Sequence, residues 1–384
     1  MAASRLLLVG AGLPHLVVLE ALGRHRAAGA EVTLVAREPV IAHPGMVPGY
    51  LAGRYALEDL RVDLAEAAAA AGATFVRGEI ATLDAASRTG ATTDGVALAW
   101  DIASIAQPAG TAGDGRPGHA HSAATFSGIA ELAEALDRLA GAPGPEPRRI
   151  VIIGAGESGV ELALAIRARL DRKGAGDVMI TMLESRSELF GGRMQAWADR
   201  IEQVLAERDV MLRLGTGAGE IGADFVRLSD GRVQPADLVV SVPAPSPWPP
   251  AKAAGLPVDH HGFLLLDDTL QLQGQPALFG AGPGSALLAA PRAPMPAAAQ
   301  LRMGRVLARN LGQALSGHDP THRFRVRERE LTLLDAGDGR AVLLGGPVAT
   351  VSRWALRYKQ LGDRRLVTRL RSGRPRGNPP STQP

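Results

Sequence analysis

Residues Ile150 to Glu161 read IVIIGAGESGVE, with glycines at Gly154, Gly156 and Gly159 directly after an apolar run and at the head of a helical pattern. The spacing has a physical reading. Gly154 permits a tight turn, Gly156 lets a pyrophosphate approach the backbone, and Gly159 lets helix and strand pack closely. The phosphates then sit at the positive end of the helix. The next apolar strand ends in Glu184, roughly 28 residues past Gly156. A carboxylate there accepts both ribose hydroxyls and repels a 2′-phosphate, so the segment reads as an NAD(H) site that prefers NADH to NADPH. Arg186, two residues on, offsets part of that repulsion.

A weaker version of the pattern opens the chain. Gly10 and Gly12 are in place, but His15 stands where the third glycine belongs. A side chain there either pushes helix and strand apart or, as an imidazole at a helix start, faces a phosphate. The following strand ends in Ala36, so the ribose acid is missing at its usual place, and Arg37 and Glu38 stand next as phosphate and ribose contacts. Val76, on the strand Thr74–Arg77, completes the cofactor-binding set expected of this lobe. The bland alternative for either motif is a glycine turn that merely packs a helix.

Other chemistries are excluded or unsupported. There are no cysteines, which removes thiolate nucleophiles, redox disulfides, Cys-ligated zinc and iron–sulfur clusters. The pairs His119/His121 and His260/His261 lie in glycine- and proline-containing stretches without a carboxylate at ligand spacing, so no metal site is expected. A formal net charge of +3 gives little general field for nucleic acid.

The elements that must position these residues follow from the apolar pattern. With 384 residues and 46% hydrophobic composition the chain exceeds one ordinary domain. Strand, glycine turn, helix and strand succeed one another from Leu6 to Val35, and the same order restarts at Ile150, which makes an α/β chain with two Rossmann-like dinucleotide-binding lobes. An Ala-rich helix is expected over Leu57–Ala71, a hairpin over Ala85–Leu98, a crossing between lobes at Gly110–Gly118 and a helix from Ala297 to Leu315. The proline-rich run Pro243–Pro250 is expected to be irregular, a return linker. The expected domains are a discontinuous FAD-binding domain (1–118 and 246–316), an NAD(H)-binding domain (119–245) inserted in it, a C-terminal segment (317–371) and a disordered tail (372–384). No run of 18 apolar residues appears, and the opening apolar stretch is too short for a signal segment, so a cytoplasmic protein is expected.

Two glycine fingerprints, the second inside an interruption of the first lobe, resemble the glutathione-reductase-type, pyridine nucleotide-disulfide oxidoreductase-like flavoproteins. The segments from Leu8 to His15, from His43 to Gly53 (HPGMVPGYLAG) and Arg325–Arg371 together resemble the NADH-dehydrogenase-like flavoprotein module found fused to selenide, water dikinase, itself similar to type II NADH dehydrogenases. The resemblance covers nearly the whole chain, with no dikinase domain. It implies FAD in the first lobe, NADH in the second, and electrons passed from the flavin to a second acceptor, often a quinone. Such chemistry needs stacked rings in a dry gap and no cysteine pair. Glu161, on the first turns of the NAD helix, is the candidate for an accessory catalytic role, its alternative being a helix-start acid favoured by the dipole.

The departures from that pattern are specific. The family's late Gly-Asp motif, whose acid bonds the flavin ribityl chain, falls at Gly282 and Pro283, and Arg302-Met303 stand where similar proteins carry glutamine. Counting Ala36, the FAD lobe has lost side-chain contacts, so two alternatives stay open: flavin held through main-chain groups, or a diverged flavin-poor dinucleotide-binding regulatory or partner protein linked to selenium metabolism. The segment 354–371 places apolar residues at helical spacing among arginines, with Asp363 the only acid. It is expected either to lie on an anionic membrane at its inner face, near a quinone, or to pack on the first lobe or a homodimer partner.

Overall fold

The computed structural model describes residues 4–24, 30–107, 119–142, 147–192, 195–242, 245–291, 293, 295–327 and 330–372. The longer helices are α1 (Leu13–Arg24), α2 (Phe126–Gly141), α3 (Glu157–Arg172), α4 (Gln195–Ala206), α5 (Ala297–Leu315) and α6 (Arg353–Ser372).

Ser4–Val9 is the central strand of an eight-stranded sheet, paired in parallel with Ala30–Ala36 on one side and Ile102–Ile105 on the other. Thr74–Arg77 closes one edge, and Gln275–Gly280 continues the parallel order beyond Ile102–Ile105. This sheet therefore draws strands from two separate stretches of the chain, one before and one after the second sheet. Its central strand is buried on both faces, which is why it reads as an unbroken apolar run. α5 lies along α1 so closely that a Cβ at Gly304 would come within 2.8 Å of the Pro14 carbonyl oxygen.

The second sheet has five parallel strands in the order Ala120–Ser122, Leu238–Ser241, Arg149–Ile153, Met179–Leu183, Val210–Arg213. One hydrophobic core runs through both sheets and their helices. A three-stranded antiparallel sheet, Thr332–Asp335, Ala341–Gly345 and Val348–Ser352, leads into α6.

Several local expectations change. The continuous helix over 57–71 is broken: Leu57–Leu60 makes one turn, Arg61–Asp63 pairs with Val40–Ala42, and a new helix starts at Leu64. Asp63 caps that helix, accepting from the backbone N–H groups of Ala65 (3.0 Å) and Glu66 (3.1 Å). The hairpin at 85–98 is a three-stranded meander, Ile80–Asp84, Thr89–Thr92 and Ala97–Ala99. The proline run is not wholly irregular, since Pro249–Ala253 forms a helical turn with proline at its start, where no N–H is needed. The crossing at 110–118 and the tail beyond 372 lie outside the described residues.

Candidate functional site

The second lobe has an open nucleotide cradle. Gly154 sits at φ +103°, where an L side chain is strained, and turns the chain from Arg149–Ile153 into α3. A Cβ at Gly159 would overlap the Gly154 carbonyl oxygen, so this glycine is required by packing. A Cβ at Gly156 would meet nothing within 4 Å. Gly156 therefore lines open space at the positive end of α3, and the turn fits a pyrophosphate there.

Glu184, at the end of the next strand, is buried. It points into the turn, accepting from the Ala155 N–H at 3.1 Å. Arg186 covers the same carboxylate, donating from its backbone N–H (3.1 Å) and Nε (3.0 Å) to Oε1 and from Nη2 (3.3 Å) to Oε2. Burial works against the charge, but the bonds from Arg186 and Ala155 hold the carboxyl below its ordinary range.

The first lobe is built differently. Gly10 lies at φ +88°, and Cβ atoms at Gly10 and Gly12 would fall 2.7 and 2.5 Å from the Ala106 carbonyl oxygen. The Gly12 N–H is spent on that same oxygen at 2.8 Å, and Pro14, in the first turn of α1, has no N–H. His15 does not face a phosphate. Its ring is fully buried, with Nδ1 2.6 Å from the Gly10 carbonyl oxygen and Nε2 2.9 Å from Ser104 Oγ. Gly10 can only accept, so Nδ1 carries the proton and Ser104 donates to Nε2. Burial lowers the imidazole to about 4, against the pull of the Gly10 carbonyl, so it is neutral near pH 7.

The other first-lobe residues are placed as follows. Ala36 is buried at the end of its strand, Arg37 and Glu38 are exposed and half-buried 3.4 Å apart, and Val76 is half-buried beside Val35. Gly282, at φ +88°, lies beside Pro14, so the late motif and the start of α1 do come together. Met303 is fully buried and Arg302 is tied to Glu330, 3.0 Å from its Nε. These positions leave a main-chain cradle that fits FAD in part, without the family's two acids.

Between the lobes lies a buried ionic cluster that no sequence pattern indicated. Glu161 on α3 accepts from the Asp335 N–H at 2.7 Å and lies 3.7 Å from Lys359 Nζ on α6. Lys359 donates to Asp363 at 3.0 Å and to the Gly45 carbonyl. Asp363 also meets His43 Nε2 at 3.0 Å, and Arg54 pairs with Asp335. Burial pushes Glu161 up to about 7, opposed by Lys359. Burial opposes the Lys359 ammonium too, but Glu161, Asp363 and Asp335 together hold it above an ordinary lysine. Burial is likewise outweighed at Asp363, brought down to about 2 by His43 and Lys359. Glu161 is thus the member poised to exchange a proton near neutrality.

The loop from Gly45 to Gly53 belongs to this junction. It folds into two short helical turns, Pro44–Met46 and Val47–Leu51, and the Leu51 carbonyl accepts from Arg172 at 3.2 Å and Arg169 at 3.4 Å on α3. Among the described residues no group of three or more His, Cys, Asp or Glu could hold a metal ion.

Comparison with known proteins adds three findings. The sequence profile of the pyridine nucleotide-disulphide oxidoreductases matches residues 4–298. A search of curated proteins returns no match. Among solved structures, the sulfide:quinone oxidoreductase of Aquifex aeolicus superposes with a TM-score of 0.81 at 19% identity, covering 97% of this chain and 92% of that one. NDH2 from Plasmodium falciparum, in complex with NADH, gives 0.72 at 11% identity, covering 97% and 99%. The water-forming NADH oxidase from Lactobacillus brevis gives 0.67 at 19% identity, covering 89% and 75%.

Proposed function

Because the chain belongs to the pyridine nucleotide-disulphide oxidoreductase family, and is therefore an FAD- and NAD(P)H-dependent oxidoreductase, we propose that it passes electrons from NADH through FAD to a quinone without any disulfide step. The chain has no cysteine, so the thiol chemistry of the family's name is closed to it. The observation that carries the reading is Glu161, buried where α3, the first lobe's loop and α6 meet, and pushed up to about 7.

The overall reaction is NADH + H⁺ + quinone → NAD⁺ + hydroquinone. Bound FAD supplies the two-electron relay between nucleotide and acceptor. The residues do the rest. The Gly154–Gly159 turn and the start of α3 bind the pyrophosphate, and Glu184 orients the adenosine ribose. The reaction consumes one proton from solvent, and a carboxyl near 7 can hold and release it at the working pH. Lys359 keeps that carboxyl from rising further, while Asp363 and the Gly45 carbonyl fix the ammonium in place.

A quinone acceptor agrees with the outer face of α6. Trp354, Tyr358 and Leu361 are exposed there, the two rings stacked at 5.8 Å, among exposed Arg353, Arg357 and Arg365. No helix among the described residues is long and apolar enough to cross a membrane, so contact with an anionic bilayer would be peripheral. Purified protein should show a flavin band near ~450 nm that NADH bleaches and a water-soluble quinone restores. A band that NADH leaves unchanged would sink the proposal.

A second reading, a flavin-poor nucleotide-binding regulatory or partner protein, is favoured by one set of observations: Pro283, Ala36, the missing N–H of Pro14 and the inward His15. A colourless protein that still binds NADH is its expected signature.

A further inference from the structure

The loop that begins at His43 grips α6 at three points. The His43 ring lies 3.0 Å, through Nε2, from Asp363 Oδ1. The Gly45 carbonyl accepts from Lys359 Nζ. A Cβ at Gly45 would stand 2.7 Å from Asp363 Oδ1 and 3.0 Å from Asp363 Cγ and Oδ2, so a side chain there would displace the carboxylate.

The mount of the ring is fixed by the fold. The His43 N–H donates to the Leu60 carbonyl at 2.9 Å, and the His43 carbonyl accepts from Met46 at 3.0 Å. Asp363 is ionised and can only accept, so Nε2 carries the ring proton and donates it. The ring is buried, and its Nδ1 has no partner among the described residues. Its polar contact with the protein is therefore Asp363 alone.

Asp363 divides its oxygens between two donors. Oδ1 faces His43, and Oδ2 accepts from Lys359 at 3.0 Å. Lys359 Nζ then stands 3.7 Å from Glu161 Oε1, close enough for attraction and too far for a hydrogen bond. The ammonium is shared between two carboxylates, so whatever draws it to one loosens its hold on the other. The other ionisable groups around them are Asp335, paired with Arg54, and Tyr55, whose ring lies under Arg364.

We propose that His43 is a positioning residue: its bond to Asp363 limits the claim of that carboxylate on Lys359, keeps the ammonium on Glu161, and thereby sets how firmly Glu161 holds its proton. The inference rests on the reading of Glu161 as the proton source and adds the loop residue that tunes it. Without the Nε2–H, Asp363 draws Lys359 closer and its own charge is less screened. Both changes favour the protonated form of Glu161. Asp363→Asn has the opposite sign, because the competing charge disappears and the ammonium is left to Glu161. Opposite shifts from two residues in contact are not what a loss of packing produces.

The test is an infrared titration of the full chain that reads the protonated-carboxyl stretch lost in Glu161→Gln. The pH limb of quinone reduction is followed beside it on protein supplied with FAD. In wild type both should titrate at about 7. His43→Phe should move both upward by ~1 pH unit, the shift expected when a charge pair opens from 3.7 Å to ~5 Å. His43→Gln, whose amide can donate in place of Nε2, should stay close to wild type. Asp363→Asn should move both downward, and being nearly isosteric it carries the test if circular dichroism shows His43→Phe unfolded. A titration unmoved by His43→Phe in folded protein, or moved upward or not at all by Asp363→Asn, overturns the role of His43. A wild type without a carboxyl band that Glu161→Gln removes overturns the Glu161 reading, and this inference with it.

Discussion

His15 and Glu161 are buried groups whose proton affinities move in opposite directions, and both can be tested. His15 is lowered to about 4 from 6.5, so the folded state binds fewer protons than the unfolded chain between those values. Stability from this group is present above pH 6.5 and is lost as pH falls toward 4, by an amount on the order of 3 kcal/mol. His15→Gln, which can still donate to the Gly10 carbonyl, should flatten the fall in urea midpoint between pH 6.5 and 4.5. Parallel pH curves for the two proteins would show that the ring is not buried neutral. Glu161, raised to about 7, is protonated below that value and ionised above it. Quinone reduction should therefore slow as pH rises through about 7, and Glu161→Gln should remove that limb and lower the rate by ~10²-fold. Lys359→Met removes the cation that restrains Glu161, so the limb should move to higher pH. A limb that ignores both substitutions places the proton source elsewhere. Glu161 was legible as an acid near a nucleotide helix; its partners were not, because His43 and Asp363 meet across 320 positions of sequence and no local spacing encodes that contact.

Among the elements, α6 shows what an amphipathic pattern reveals and what it hides. Apolar residues at helical spacing gave the helix, and Leu356, Leu366, Val367 and Leu370 are indeed buried. The same pattern classes Lys359 and Asp363 as solvent-facing, yet they turn inward because Glu161, the Gly45 carbonyl and His43 wait there. Conversely, Trp354 and Tyr358 belong to the same apolar spacing and are 68% and 58% exposed. The broken helix over 57–71 has the same origin: alanine propensity argues for continuity, while strand pairing of Arg61–Asp63 and the Asp63 cap prevail. Because the outer face of α6 joins aromatic rings to arginines, the protein should co-sediment with vesicles of phosphatidylserine and phosphatidylcholine at low salt. Each arginine near the surface contributes roughly 1 kcal/mol and is screened by salt. Trp354→Ala with Tyr358→Ala should lower binding at every salt concentration, whereas Arg357→Gln with Arg365→Gln should mainly flatten the salt dependence. Absence of binding to anionic vesicles at low salt would assign this face to another partner.

At the scale of the whole molecule, two βαβ restarts in one chain made the two-lobed α/β class legible, since period and glycine placement are local properties. The unequal condition of the lobes was legible in part: Ala36 and Pro283 stand in the sequence, but the spent Gly12 N–H and the inward turn of His15 needed the fold. Together they bear on how tightly FAD is held. The two absent acids would each contribute about 1–3 kcal/mol as buried hydrogen bonds, a combined factor of ~30 to ~2 × 10⁴ in affinity. What remains is main chain: the positive-φ turns at Gly10, against Ala106, and at Gly282, beside Pro14. A lobe that starts from tight binding can lose the lower factor and stay yellow, but not the higher one after dilution. Partial loading on purification is therefore expected, with NADH oxidation rising when FAD is added. Pro283→Asp restores both a carboxylate and an N–H beside Gly282 and should slow flavin loss on gel filtration by ~10-fold or more. The decisive outcome is a chain that binds NADH yet retains no flavin, either with added FAD or with Asp at that position. In that case the first lobe has ceased to be a cofactor site, and the second lobe senses nucleotide without oxidising it.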